Sequence, residues 1–164
     1  MLSMADMPIG IVGGSTATLT SRVAGMTSTH LGSGRNRLFI RGIADSSFNG
    51  PTQAVVGQYL GETRLNYNAP DPDLRLYDIS SIEVLEGPQG TLYGAGSLGG
   101  ILRLRPAEPQ LDALQATAST SVALTAHGDP SADISATLNL PLIEGSLAVR
   151  AVGYGIRDGG YIDD

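Results

Sequence analysis

The clearest hydrophobic pattern in the chain is an alternation of apolar and polar positions in its last third. Residues 114–124 place Leu, Ala, Ala, Thr, Val and Leu at even positions and mostly polar residues at odd positions. Residues 132–142 repeat this pattern, and residues 147–157 continue it less regularly. Because successive side chains of a strand point to opposite faces, the spacing predicts three long strands. The short turns between them predict an antiparallel β-meander.

The first hundred residues show shorter apolar runs between turn residues. Four of these runs predict strands: residues 37–41, 54–60, 82–85 and 101–105. Short helices are predicted at residues 19–24 and at residues 74–79, the second with Asp73 as its N-cap. Together these elements predict a small α+β domain that precedes the meander.

Changes of pattern along the chain also predict its domain boundaries. Residues 1–18 are rich in Gly, Ser and Thr and are expected to be weakly ordered. Residues 19–107 form the α+β domain, which Pro106 closes by ending its last strand. Residues 108–164 begin with a short connector and contain the meander.

A dense run of glycines separates the predicted strands at residues 82–85 and 101–105. Glycine is needed where φ is positive or where another backbone comes too close for a Cβ. Since apolar strands bracket the run, it is interpreted as tightly packed backbone rather than as a linker. Residues 94–99 also match the dinucleotide motif G-x-G-x-x-G, but that motif must open a helix, and here a strand follows.

Composition narrows the function further. The 164 residues carry a net charge of -6, which gives no basic surface for nucleic acid. The absence of cysteine excludes disulfides and thiolate metal sites, and His30 and His127 have no ligand partners nearby in sequence. No catalytic constellation is found, so neither an enzyme activity nor a cofactor nor a metal is expected.

Three stretches resemble the plug domain of TonB-dependent outer-membrane receptors: R-L-F-I-R-G-I (37–43), I-S-S-I-E-V-L-E-G-P-Q-G-T-L-Y-G (79–94) and S-L-G-G-I-L-R-L-R-P (97–106). The resemblance marks a set of structural motif residues: Gly42, Gly87, Pro88, Gly90, Tyr93, Gly94, Gly99 and Gly100. It implies a plug folded inside a barrel of about 22 strands. It further implies energy-coupled uptake of a scarce ligand, either a ferric siderophore, cobalamin or an oligosaccharide.

The same resemblance makes the meander the first three strands of an incomplete transmembrane β-barrel. The resemblance places Ala116, Ala118, Val122 and Leu124 towards outer-membrane lipid, and Gln115, Thr117 and Ser119 towards the lumen. The implied location is the outer membrane of a Gram-negative bacterium. The implied partners are TonB, the rest of the barrel, lipid and a small chelate or other ligand.

Candidate site residues also come from the resemblance. Loops at the plug apex help to form the ligand site in the family, and here they carry the contact candidates Phe48, Asn49, Tyr67 and Asn68. Plug arginines of the family pair with barrel acids, a role that suits Arg41. The second basic position holds Glu86 instead, so a different plug–barrel ion pairing is expected.

Two alternatives remain open from the sequence. No signal peptide or TonB box is recognised, and three strands cannot close a barrel, so the chain is expected to be a fragment that does not transport alone. The other interpretation is a soluble β-rich binding or interaction module without a membrane role. Coding sequence on both sides of the chain would distinguish the two.

Overall fold

A computed structural model of the chain describes residues 2–3, 14–29, 37–43, 53–66, 72, 74–124 and 128–160. The chain folds into two compact units, Met1–Ala107 and Glu108–Asp164. Strands dominate both units, and the helices are short. None of the helices in the described ranges has the length and apolarity that a membrane span requires.

A five-stranded sheet forms the framework of the first unit. Its strands are β1 (Leu2–Ser3), β4 (Val56–Leu60), β5 (Thr63–Arg64), β6 (Ile79–Glu86) and β7 (Gly100–Pro106). Their order across the sheet is β1-β6-β7-β4-β5. The middle strand β7 pairs antiparallel with β6 and parallel with β4. Two further strands, β2 (Met26–Ser28) and β3 (Leu38–Ile40), form a separate antiparallel pair.

One face of the sheet carries the hydrophobic core of this unit. The strand register places Ile82 of β6 beside Leu104 of β7, and neither side chain is exposed. Side chains from outside the sheet complete the core: Leu19, Met26, Leu38, Ile40 and Leu76. Full burial of such a side chain contributes about 1.5–3 kcal/mol. Because β7 is the middle strand and buries both Leu102 and Leu104 completely, it contributes strongly to the stability of this unit.

The predicted helix at residues 74–79 is wrong. The amide of Thr16 donates to the Leu74 carbonyl, and the amide of Leu76 donates to the Gly14 carbonyl, both at 2.9 Å. These bonds hold residues 74–76 extended beside residues 14–16, and they leave Leu76 completely buried. Tertiary pairing therefore overrides the local helical signal.

The other predicted helix is displaced towards the N-terminus. A 3-10 helix spans Thr16–Ser21, and the Thr18 hydroxyl donates to the Ser15 carbonyl at 2.6 Å in its first turn. The predicted boundary between weakly ordered residues and the domain, at residue 18, falls inside this helix. Asp73, the predicted N-cap, lies outside the described residues.

The second unit is a three-stranded antiparallel sheet, which confirms the predicted meander. Its strands are β8 (Gln115–Ala123), β9 (Ser131–Ile143) and β10 (Leu147–Arg157), with β9 in the middle. The first and last residue of each strand lie within one residue of the predicted positions. The β9–β10 turn needs a glycine at position 145, where φ is +70°.

The register of this sheet separates an apolar face from a polar face. One row of the apolar face contains Ala116, Leu138 and Ala151, and the next contains Ala118, Ala136 and Gly153. Larger apolar side chains on this face are exposed, among them Val122, Ile134 and Leu140. On the opposite face, the hydroxyls of Ser119 and Ser135 lie 2.8 Å apart. The predicted division of β8 into apolar and polar positions is thus confirmed.

Candidate functional site

The four predicted ligand-contact residues, Phe48, Asn49, Tyr67 and Asn68, lie outside the described residues, as do His30 and His127. The structure does describe Asn66, the first residue of the predicted loop that carries Tyr67 and Asn68. It also describes the two predicted ion-pair residues and the glycine-rich segment. These features define the candidate site in the first unit.

Asn66 fixes the chain at the start of the loop that carries Tyr67. Its side-chain oxygen accepts a hydrogen bond from the Gln58 amide at 2.7 Å, and its side-chain nitrogen donates to the Val56 carbonyl at 2.8 Å. The residue is 2% exposed. The Asn66 side chain thus bonds β4 as the backbone of a neighbouring strand would, and it holds the start of the loop against β4. The sequence N-Y-N gave no signal that distinguished Asn66 from its polar neighbours.

Arg41 occupies a strained position in a two-residue turn. The Ile40 and Ile43 backbones exchange hydrogen bonds of 3.0 and 3.3 Å, while Arg41 and Gly42 adopt φ values of +52° and +75°. Positive φ at both central residues defines a type I′ turn, in which glycine is favoured and arginine is not. The amide of Arg41 also donates to the Gly25 carbonyl at 2.7 Å. The turn therefore fixes the direction in which Arg41 leaves the backbone.

The Arg41 guanidinium forms an ion pair with the Glu86 carboxylate. The Arg41 side chain is 67% exposed and the Glu86 side chain 30% exposed. The two predicted ion-pair residues are therefore partners of each other, and they join the turn after β3 to the end of β6. Pairing of Arg41 with a barrel acid, and a different pairing of Glu86 with the barrel, stay predictions.

The glycine-rich segment is closely packed at Gly96, Gly99 and Gly100, as its sequence predicts, but a Cβ on Gly90 or Gly94 would meet no atom within 4 Å. A Cβ on Gly96 would lie 2.6 Å from the Ala54 carbonyl oxygen, and a Cβ on Gly100 would lie 2.3 Å from the Leu85 carbonyl oxygen. Both glycines have positive φ, at +81° and +141°. Within the segment, a one-turn helix α1 (Gly90–Tyr93) forms that the sequence did not predict.

Three side-chain contacts hold this segment against β4 and β5. The Arg64 guanidinium donates to the carbonyls of Ala95 and Gly96, the latter at 3.1 Å. The rings of Tyr59 and Tyr93 meet edge to face with centroids 5.4 Å apart. Tyr93 belongs to the family motif and was predicted from it, whereas Arg64 and Tyr59 lie outside that motif and were not predicted.

Four charged residues form a cluster on the sheet face opposite the core. Arg103 pairs with Glu62 and, at 3.6 Å, with Glu83, while Arg105 contacts Glu83 at 2.8 Å. The hydrogen bond from Arg105 lowers the pKa of the Glu83 carboxyl; partial burial opposes this, and the charges of Arg105 and Arg103 add to it. The alternating charges of β7, Arg103 and Arg105, were the sequence signal that could have identified the cluster.

The described part of the candidate site consists of packed backbone and paired charges. Gly100 begins β7, which confirms that a strand rather than a helix follows the G-x-G-x-x-G residues. Within the described ranges, no group of three His, Cys, Asp or Glu side chains could hold a metal ion. The four charged residues of the cluster on β6 and β7 pair with one another.

Comparison with known proteins identifies the family. The family model of the TonB-dependent Receptor Plug Domain matches residues 12–101, which is more than half of the chain's 164 residues. The chain therefore belongs to the TonB-dependent receptor plug-domain family. A search of curated proteins gave no match.

Membership of this family defines a class of function. The family consists of receptors and transporters rather than enzymes, and it is found in the outer membranes of Gram-negative bacteria. Its members act with TonB and with a barrel of their own.

Proposed function

We propose that this chain supplies the plug and the first three barrel strands of an outer-membrane transporter that takes up a scarce ligand with energy delivered through TonB. The family match at residues 12–101 is the observation that carries this proposal. The plug unit gates the lumen of the completed barrel.

The sheet of the second unit supports the barrel assignment. Its strands contain 9, 13 and 11 residues, close to the roughly 9–11 residues that a tilted strand needs to cross a bilayer. Apart from Arg157 at one end, its apolar face carries no charged residue between residues 114 and 157. The outer edges of β8 and β10 require further strands, because unpaired backbone groups in lipid cost several kcal/mol each.

A matched pair of variants on β9 tests the barrel assignment in the parent protein. Leu138→Arg places a charge on the apolar face, and Thr137→Arg places the same charge on the polar face. A lipid-facing arginine costs about 2–4 kcal/mol at the bilayer midplane, whereas lumen positions tolerate charge. Leu138→Arg should therefore reduce the folded protein recovered in outer membranes, and Thr137→Arg should not.

Equal recovery of both variants would contradict the lipid-facing assignment of Leu138. Recovery of both in the soluble fraction, together with the unaltered protein, would instead favour the β-rich interaction module.

We propose a ferric siderophore as the transported ligand, with cobalamin or an oligosaccharide as the alternatives. The proposed contacts are Phe48, Asn49, Tyr67 and Asn68, the last two in the loop that Asn66 anchors to β4. Uptake by cells that lack the gene, with and without complementation, should be measured separately for each ligand class. Loss of labelled-iron uptake, restored by complementation only when TonB is present, is the expected result. Unchanged uptake of all three classes would contradict the proposal.

A further inference from the structure

The connector, the segment that leads from β7 to β8, is held by hydrogen bonds at its N-terminal end. The amide of Ala107 donates to the Asp78 carbonyl at 2.8 Å. The hydroxyl of Ser80 lies 3.2 Å from the Pro106 carbonyl oxygen and 3.0 Å from that of Arg105. The first unit therefore holds the chain up to and including residue 107.

On the C-terminal side, a single side chain organises the connector. The side-chain oxygen of Asn139 accepts a hydrogen bond from the Gln110 amide at 2.8 Å. Its side-chain nitrogen donates to the carbonyls of Gln110 and Ala113, at 2.9 and 2.7 Å. Asn139 is completely buried, so these bonds are shielded from water.

Two more contacts extend this anchor. The side-chain amide of Gln115 donates to the Gln110 side-chain oxygen at 2.6 Å, and the amide of Gly145 donates to the Leu111 carbonyl at 3.1 Å. Residues 110–113 therefore belong to the second unit, although they precede its first strand.

Only Glu108 and Pro109 lie between the two anchors, and among the described residues they make no hydrogen bond or ion pair. Each residue has two soft backbone dihedrals, but the proline ring fixes φ of Pro109 and restricts Glu108 to extended conformations. A hinge of this kind permits rotation about few bonds and gives little extra length.

We propose that Asn139 is a positioning residue that limits movement between the two units to a hinge at Glu108 and Pro109. The plug unit then turns as a body about these two residues, and the connector beyond Gln110 stays on the polar face of β9. The use of this hinge in gating rests on the proposed transport function. The hinge itself does not.

Amide hydrogen exchange of the full chain, measured by NMR, tests the limits of the hinge. The amides of Ala107 and Gln110 should be protected, and the amide of Glu108 should exchange much faster. Asn139→Ala should speed exchange at Gln110 by about tenfold, the factor that one hydrogen bond at the upper end of the usual net strength supplies. Exchange at Ala107 should not change.

Ser135→Ala is the matched control, because Ser135 lies on the same strand and face and contacts Ser119 rather than the connector. It should leave Gln110 unchanged. The Leu138 amide reports whether β9 itself remains folded. If Asn139→Ala also speeds exchange of the Leu138 amide, Asn139→Asp is used in its place. The Asn139→Asp side chain still accepts the hydrogen bond from the Gln110 amide but cannot donate to the carbonyls of Gln110 and Ala113. The Gln110 amide should then remain more protected than Glu108.

Spin-label distances test the movement itself. The chain has no cysteine, so Thr91→Cys and Thr117→Cys provide one exposed label in each unit. Pro109→Gly and Asn139→Ala should each broaden the distance distribution, and Ser135→Ala should not. The proposal is overturned if Asn139→Ala changes neither the distribution nor Gln110 exchange, or if Glu108 is as protected as Gln110. Neither measurement needs a ligand, so failure of the transport proposal would not alter these results.

Discussion

At the residue scale, two glycines of the same segment meet different surroundings. A Cβ on Gly100 would lie 2.3 Å from the Leu85 carbonyl oxygen and 3.0 Å from the Ile40 Cδ1 atom, at a φ of +141°. A Cβ on Gly90 would have no atom within 4 Å. Gly100 is therefore required by its neighbours, whereas Gly90 is not.

Gly100→Ala should destabilise the first unit by about 2–4 kcal/mol, because the change combines overpacking with an unfavourable φ. Gly90→Ala should be neutral or stabilise the unit by up to about 1 kcal/mol. Native-state exchange of the Leu102 and Leu104 amides in β7 measures both effects. Similar exchange in the two variants would show that β7 does not pack against Leu85 as described.

Charge reversal tests whether Arg41 and Glu86 are partners in solution. Arg41→Glu and Glu86→Arg each create a like-charge contact, and the double reversal restores an attractive pair. Since an exposed ion pair contributes about 0.2–1 kcal/mol, a double-mutant cycle should give a coupling of that size. Denaturant unfolding of the first unit at low ionic strength is the measurement. A coupling of zero would mean that the two side chains do not interact.

Predictions for single residues succeeded where the backbone conformation requires a particular residue type. The glycine run signalled close packing, and Gly42 signalled a turn, because only glycine tolerates such positions easily. The contact of Arg64 with the carbonyls of Ala95 and Gly96 could not be predicted, because it joins residues 31 and 32 positions apart through side-chain geometry.

At the element scale, long strands were predictable and short elements were not. The period-2 pattern of β8, β9 and β10 extends over 9 to 13 residues, which is long enough to fix type and bounds. Strands β1 and β5 have only two residues each, too few to show a period. The helix predicted at residues 74–79 failed because its partner, residues 14–16, could not be identified from local sequence.

The charged face of β6 and β7 makes the first unit sensitive to acid. The pKa of Glu83 is lower in the folded state than in the unfolded state, where it is near 4.5. The stabilisation that the Glu83 ion pairs provide is therefore complete above the unfolded-state pKa and is lost as pH falls through the folded-state pKa. Unfolding followed from neutral pH downwards should show stability falling below about pH 5. Glu83→Gln should be less stable at neutral pH and should show a shallower acid transition.

Glu144 provides a matched control for this experiment. It lies in the β9–β10 turn of the second unit, is exposed, and is absent from the described ion pairs. Glu144→Gln should leave the acid transition of the first unit unchanged. An equal effect of both substitutions would assign the transition to net charge rather than to the cluster.

At the scale of the whole molecule, the family match and the two units cover different parts of the chain. The match ends at Ile101, inside β7, so it describes the first unit and leaves the three-stranded sheet of Glu108–Asp164 outside. The sequence predicted the topology of that sheet through its periodicity alone. That its apolar face contacts lipid stays a prediction, because the residues of this sheet do not encode its surroundings.

The position of β7 in the first sheet also governs when that unit can fold. β7 lies in the middle of the sheet, yet it is the last of its strands in the sequence. Its parallel pairing joins Val56 to Gly100. The entropy cost of closing this long loop therefore comes before the contacts between β4 and β7 stabilise the unit. A nascent chain that has not reached residue 100 holds β4 and β6 without the strand that lies between them. Synthesis halted before that point therefore yields no folded first unit, and until then the open edges must be kept from pairing with other chains.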